Sequence, residues 1–209
     1  MNRKRAKKHA QLKEFWRRYK KNKAAVVGLV LLCIIVGMAV FADLIVPYAK
    51  CVEQVGADRL QWPSVAHWFG TDEFGRDVFA RVVHGARYSL FIGVATSLMA
   101  LVAGAILGAS AGYFGGKVDM VLMRVTDIFI SFPSLVLALA FVAALGPGLE
   151  HVVIAITLTA WPPIARLARA ETLSLRQADF ISAVRLQGAS SARVLWRHIV
   201  PLCLPSVII

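Results

Sequence analysis

Four charged residues crowded into six positions are the first candidates for chemistry in this chain of 209 residues. Asp72, Glu73, Arg76 and Asp77 combine carboxylates with a guanidinium, as general acid–base and metal sites do. They lie in a segment, residues 47–87, whose five basic and five acidic side chains balance. We therefore interpret the cluster as the charged face of a loop that packs against a neighbouring subunit, rather than as a catalytic or metal centre.

The other side chains that commonly serve catalysis or metal binding are dispersed. The five histidines form no i,i+4 ligand pair, and the three cysteines have neither metal-ligand nor disulfide spacing. No Ser or Asp is paired with a His at helical spacing inside an apolar run, as a membrane-embedded hydrolase would require. We expect no catalytic, cofactor-binding or metal-binding residue in this chain.

The composition is that of a membrane protein, with 58% hydrophobic residues, 17% charged residues and a mean hydropathy of +0.64. The net charge of +12 raises the question of nucleic-acid binding. However, eleven of the 24 Lys and Arg fall within residues 3–23 and six more within 166–197, as at the cytoplasmic flanks of membrane helices. Because no aromatic residues are interleaved in a nucleic-acid motif, we expect lipid as a partner and no nucleic acid.

A polar, basic stretch, residues 166–205, lies between two apolar segments and is too regularly patterned for a simple loop. Asp179 is a suitable N-cap for a short helix over residues 180–187. Gly188 stands where a helix end favours a left-handed residue, and Ser190 can cap a second helix. The sequence therefore predicts a helix, a sharp elbow and another helix.

The first of these short helices is amphipathic. Ile181 and Val184 share one side of it. Phe180 and Ala183 extend that side more weakly. The sequence therefore predicts an apolar face outside the membrane that is built to be covered.

The same stretch carries a family resemblance. Ser182-Ala183-Val184, followed by Gly188, Ile199 and Pro201, resembles the Glu-Ala-Ala…Gly…Ile…Pro coupling loop of ABC importer permeases. Ser182 stands where the family usually has Glu, and Val184 replaces the second Ala. The resemblance implies a cytoplasmic loop that docks into a groove of an ATP-hydrolysing subunit. The coupling-loop residues implied in this way are Asp179, Ser182, Ala183, Val184, Gly188, Ala189, Ile199 and Pro201.

Further motifs narrow the resemblance to dipeptide, oligopeptide and nickel permeases, and to the second, C-type, subunit of the pair. They are Arg166, Arg169, Glu171, Gly188-Ala189-Ser190, Arg197-His198-Ile199 and the segment from Phe69 to Leu90. The resemblance extends from about residue 11 to the end. It implies an all-α, polytopic membrane protein with the type I importer permease fold, with about five of six transmembrane helices present.

The resemblance also implies an assembly. A second homologous permease subunit would complete the pathway, two cytoplasmic ATPase subunits would bind ATP and Mg²⁺, and an external solute-binding protein would deliver the cargo. This chain would bind no cofactor itself. Peptides, nickel chelates and glutathione-like compounds are all compatible solutes. The alternatives are a membrane-embedded enzyme and a passive channel, and a channel would need no coupling elbow.

Apolar runs and charge predict the topology. Residues 1–23 form a cytoplasmic amphipathic segment or, alternatively, a solvated basic tail. A first transmembrane helix over residues 24–46 is long enough to cross a hydrocarbon core of about 30 Å, and we prefer it to a cleaved signal peptide. The positive-inside rule places the N-terminus in the cytoplasm and residues 47–87 outside. The resemblance implies the inner membrane of a bacterium or archaeon. Residues 88–209 form the remaining permease domain, with the coupling loop over 166–198.

The sequence also predicts one helix start and one packing motif. Thr71 or Asp72 should cap a helix whose apolar side includes Phe74, Val78 and Phe79. In the apolar run over residues 89–112, the small residues Gly104, Gly108 and Gly112 recur every four positions. That spacing predicts that another helix approaches closely within the bilayer.

Two more apolar helices and the start of another follow. One runs from about residue 118 to 145 and is broken or kinked near Pro133. The next covers residues 151–165. The apolar run over residues 199–209 is shorter than the roughly 20 residues that cross a membrane, so we expect a chain truncated relative to the family.

An intramembrane polar pair is the last candidate. Arg124 and Asp127 lie three residues apart on one helix face. An unpaired charge in lipid would cost about 2.5–3.5 kcal/mol, so both should face protein. Two interpretations stay open, a lining of the substrate path and a structural pair near the cytoplasmic end, and we favour the second.

Overall fold

The computed structural model describes residue 14, residues 16–17 and residues 19–208. Most of the predicted N-terminal amphipathic segment, including Phe15, lies outside the described residues, although the rings of Trp16 and Tyr19 stack at a centroid distance of 5.7 Å. The described residues form helices and no strand, apart from an isolated bridge between Thr71 and Asp77. The all-α prediction is confirmed.

The chain divides into two compact units, residues 1–91 and 92–209. The first contains α1 (Lys23–Val40), α2 (Ala42–Ile45), α3 (Ala49–Val52) and the beginning of α4 (Val78–Phe114). The predicted first transmembrane helix is therefore interrupted at Phe41. The guanidinium of Arg87 explains the interruption, because its Nε donates a hydrogen bond of 3.0 Å to the carbonyl of Ala39.

The segment between α3 and α4 does not form the predicted helix capped by Thr71 or Asp72. Asp72 Oδ1 instead accepts the backbone N–H groups of Phe74 (2.8 Å) and Arg76 (3.0 Å), which closes a turn. Gly75, with φ +78°, continues this turn in a conformation that interrupts a helix. The helix begins only at Val78, where Asp77 Oδ1 accepts the N–H of Ala80 at 2.9 Å.

The charged cluster thus organises the loop itself. Asp72 Oδ2 pairs with Arg76 Nε at 2.8 Å and with Arg81 Nη1 at 2.5 Å, and Asp77 pairs with His67 at 3.0 Å. Burial alone would raise the pKa of Asp72, but the N–H groups of Arg76 and Phe74 and the Arg76 side chain hold it at about 2.

The second unit holds the rest of α4, then α5 (Gly116–Ser131), α6 (Ser134–Leu145), α7 (Leu149–Arg176), α8 (Asp179–Leu186), α9 (Ser191–Val194) and α10 (Val200–Ile208). A π-helical turn, Leu195–Ile199, joins α9 to α10. The break near Pro133 is confirmed, because α5 and α6 meet there at an angle of 92°. Among the described residues α1, α4 and α7 are long and apolar enough to cross a membrane, and the bent pair α5–α6 would be a fourth span.

The helix predicted over residues 151–165 is much longer in the structure. α7 continues through Pro162 and Pro163 and ends at Arg176, so the first eleven residues of the predicted coupling loop are helical. The sequence did not predict this continuation, because most side chains there are polar and only a narrow stripe is buried. The stripe consists of Ala165, Ala168 and Thr172 at helical spacing.

The glycine stripe of α4 contacts this buried side of α7, as predicted. A Cβ atom on Gly104 would lie 2.6 Å from Ile164 Cγ2, and one on Gly112 would lie 2.8 Å from the carbonyl oxygen of Arg169. One on Gly108 would overlap the carbonyl of Ala165. The two backbones therefore approach closely enough to exclude any side chain at these positions.

Gly108→Ala should destabilise the second unit by about 1–3 kcal/mol, because the new methyl group must displace the backbone of α7. Gly93→Ala is the matched control, since a Cβ there meets nothing within 4 Å. Thermal unfolding in detergent should show a lower midpoint for Gly108→Ala alone. Equal midpoints for the two variants would contradict the close contact.

Candidate functional site

The predicted elbow is present between α8 and α9. Gly188 is left-handed, with φ +82°. Its N–H donates to the carbonyl of Arg185 at 2.9 Å, and the N–H of Ala189 donates to the carbonyl of Val184 at 3.3 Å. These two bonds form a Schellman motif, which satisfies the last carbonyls of α8 and reverses the chain. The side chain of Ser190 then accepts the N–H of Arg193 at 3.4 Å, so its capping role is confirmed.

The predicted N-cap of α8 is wrong by one residue. Ala178 has the extended backbone of a capping residue, with φ −70° and ψ 141°, and no side chain caps the helix. Asp179 is already the first helical residue. Its carboxylate instead lies in the first turn, where it interacts favourably with the positive end of the helix dipole.

The apolar side of α8 packs against the chain itself. Ile181 is fully buried, and the partly buried Val184 packs against the same core. The buried residues around them come from α4, from α9 and the π-helical turn, and from α10: Ala109, Tyr113, Val194, Leu195, Ile199 and Cys203. The prediction that the Ile181–Val184 side is covered is therefore confirmed. The cover comes from the same chain, which an amphipathic pattern alone does not tell.

The opposite side of α8 is exposed. Asp179, Ala183 and Leu186 share it, because they recur at intervals of four and three residues. The prediction that Ala183 extends the Ile181 side is therefore wrong. The side chain of Leu186 is 90% exposed. We define Asp179, Ala183 and Leu186 as the outward face. It contains the small Ala183 and a large apolar residue that no described part of this chain covers.

Two arginines join the ends of α7 and α8 to the end of α4. The guanidinium of Arg185 lies over the ring of Tyr113, with Cζ 5.0 Å from the centroid. Arg176, the last residue of α7, donates through Nη1 to the carbonyls of Gly112 (3.3 Å) and Tyr113 (3.2 Å). Tyr113 thus joins the ends of three helices. Sequence reasoning missed it, and its only signal was its place just before the Gly115-Gly116 turn.

Ion pairs join α5 to α7. Arg169 forms a bidentate pair with Asp119, with distances of 2.5 Å and 2.6 Å. Arg166 pairs with Asp127 at 2.5 Å. The predicted pair of Arg124 with Asp127 is therefore wrong. A partner on the facing helix takes the carboxylate, and spacing within one helix could not reveal that partner.

The remaining predicted site residues fall into two environments. Val184, Ala189 and Ile199 belong to the core beneath α8 or pack against it, whereas Ser182 and Pro201 are exposed. Pro201 stands just inside α10. It lacks an N–H, and its ring would clash with the carbonyl of Arg197, four residues earlier, which accounts for the widened π-helical turn before it.

The fold and the elbow define a polytopic helical membrane protein with a polar, helical projection between apolar segments. Residues 100–209 match the family described as binding-protein-dependent transport system inner membrane component, and residues 10–63 match the N-terminal transmembrane domain of oligopeptide transport permease C. The chain belongs to the binding-protein-dependent transport system inner membrane component family.

Three relatives illustrate its position in that family. The chain is 43% identical over 197 residues to a dipeptide transport system permease of Alkalihalophilus pseudofirmus, covering 94% of this chain and 64% of the relative. It is 39% identical over 193 residues to an oligopeptide transport system permease of Bacillus subtilis, covering 92% and 63%. It is 37% identical over 198 residues to a glutathione transport system permease of Pectobacterium atrosepticum, covering 94% and 65%. The chain thus spans less than two thirds of the length of these relatives.

Replacing Gly188 tests the elbow. A Cβ at Gly188 meets nothing within 4 Å, so only the left-handed backbone opposes a side chain. Gly188→Leu should destabilise the elbow by about 1–2 kcal/mol. Gly188→Asn should cost less, because Asn tolerates this conformation. Hydrogen exchange of residues 179–190 in detergent should rise more for Leu than for Asn, and equal exchange would contradict the backbone argument.

Proposed function

We propose that this chain is one of the two transmembrane permease subunits of an ABC importer for di- or oligopeptides or a related small solute. The family match and the peptide permeases among its relatives support this assignment. The observation that carries it is the outward face of α8. This face is exposed on a helix whose other side is anchored in the core, as a docking element for a separate subunit requires.

We infer that the docking partner is a cytoplasmic ATPase subunit, present twice in the assembly. ATP and Mg²⁺ belong to that partner, and this chain holds no cofactor and catalyses no reaction. Ser182 is exposed where the family usually has Glu. The contact is therefore carried by Leu186 and by the small Ala183, which lets the partner approach, rather than by an ion pair at residue 182.

The core beneath α8 suggests how the partner's motion reaches the membrane. Ile181 belongs to one buried cluster with Ala109 and Tyr113 of α4 and with Ile199 before α10. A displacement of α8 by closure of the ATPases would therefore move the ends of α4, α7 and α10 together. These helices would then tilt between inward-open and outward-open arrangements.

The solute and the orientation follow from the same proposal. A second homologous permease would complete the pathway, and an external binding protein would select the cargo, for which peptides, glutathione-like compounds and nickel chelates are candidates. The basic N-terminal residues and α8 would share the cytoplasmic side of the inner membrane, in accord with the positive-inside rule.

A pull-down in mild detergent tests the proposal. The membrane-expressed chain should retain the ATPase subunits of its own organism. Leu186→Asp should weaken that retention at least about tenfold, because it places an unpaired charge at the centre of the contact. Ser191→Asp is the matched control, since it adds the same charge at an exposed position beyond the elbow.

Equal retention of the two variants would contradict the role of the outward face. Failure to retain any ATPase subunit, both by this chain and by a chain extended to the length of its relatives, would contradict the importer assignment. A passive channel and a membrane-embedded enzyme predict that failure.

A further inference from the structure

The segment between α3 and α4 carries a cluster of exposed apolar side chains. Leu60, Trp62, Val65 and Trp68 are 72%, 87%, 96% and 64% exposed. We define these four residues as the apolar cluster. Large apolar side chains exposed together in one segment can mark a site of interaction.

The backbone that displays the cluster is firmly held. The N–H of Thr71 donates to the carbonyl of Gln61 at 3.1 Å, and the N–H of Gln61 donates to Thr71 Oγ1 at 2.9 Å. Gly70 lies so close to the Gln61 carbonyl that no Cβ would fit. Leu60 itself has a φ of +51°. Among the described residues it is the one non-glycine residue with a positive φ. The fold thus maintains a strained backbone that points a large apolar side chain outward.

The cluster lies beside the end of the first membrane helix. Val65 and Trp68 line a cavity of about 190 Å³ together with Ile45 and Val46, the last residues of α2 and its C-cap. The ring of Trp68 also lies 5.0 Å from that of Phe79 near the beginning of α4. The cluster therefore stands where the chain leaves one apolar helix and enters the next.

The neighbouring end of that helix is itself exposed and apolar. Phe41, Leu44 and Ile45 are 56%, 85% and 45% exposed, as expected for side chains that face lipid in an inner-membrane protein. The apolar cluster continues this lipid-facing surface onto the loop. Its two tryptophans suit the boundary layer, because an indole combines an apolar ring with an N–H donor.

We propose that the apolar cluster inserts into the interfacial layer of the bilayer and anchors this loop to the lipid surface at the end of α2. The occupant is lipid rather than another protein because the cluster is continuous with the exposed end of a membrane helix. The inference concerns the first unit alone and does not depend on the transport function.

Fluorescence quenching in lipid nanodiscs tests the proposal. Single-tryptophan variants keep Trp62 or Trp68, with every other tryptophan replaced by Phe. A further variant without native tryptophans carries Val65→Trp as an independent reporter. Lipids brominated near the headgroup should quench all three reporters at least twofold, and lipids brominated at the chain end should quench them less.

A variant that keeps only Trp161 is the control, because this residue is buried in the second unit and should be insensitive to the shallow quencher. Aqueous iodide should quench the cluster reporters weakly. Strong quenching by iodide with no effect of brominated lipid would overturn the proposal. Protection from both quenchers would also overturn it, since that result places a protein against the cluster.

Discussion

The burial of Ile181 is the interaction on which the arrangement of α8 and of the elbow after it depends. α8 has only eight residues and would be marginal as an isolated helix, so its orientation is set by packing. Ile181 is fully buried among residues of α4, α9 and the turn before α10, and the elbow at Gly188 returns the chain to the same core. Because Ile181 points into the core, the opposite side of α8 is exposed, and that side is the outward face.

A second constraint is the close contact of α4 with α7. Apolar surface gains little by leaving lipid for a protein neighbour, so membrane helices depend on close backbone approach and on polar pairs. Gly104, Gly108 and Gly112 provide the approach, and Arg176 caps the end of α4 from the end of α7. A displacement of α8 would therefore act on a packed pair of helices rather than on a single helix.

Several features of this structure could be predicted from the sequence. In each of them the chemistry of one residue type decides the local conformation or packing. The left-handed turn at Gly188, the cap at Ser190, the break near Pro133 and the packing at the glycine stripe are of this kind. Each follows from a missing side chain, a missing N–H group or a hydroxyl at a helix end.

The features that could not be predicted depend on partners distant in the sequence. Arg166 rather than Arg124 pairs with Asp127 because α7 faces α5. α7 continues to Arg176 because its last turns pack beside α4 through a narrow stripe of only three buried residues. Asp72 was predicted to cap a helix, whereas in the structure its carboxylate closes a turn. Which side of α8 its own chain would cover could be learned only from the packed structure.

The claim that the outward face contacts the ATPase subunit is tested most directly by photo-crosslinking. A photoreactive amino acid would replace Leu186, and in a separate variant Trp196, which is exposed in the π-helical turn beyond the elbow. Irradiation of membranes that contain the whole transporter should link position 186 to the ATPase subunit, with little product from position 196. Links from position 186 only to lipid or to its own chain would contradict the account.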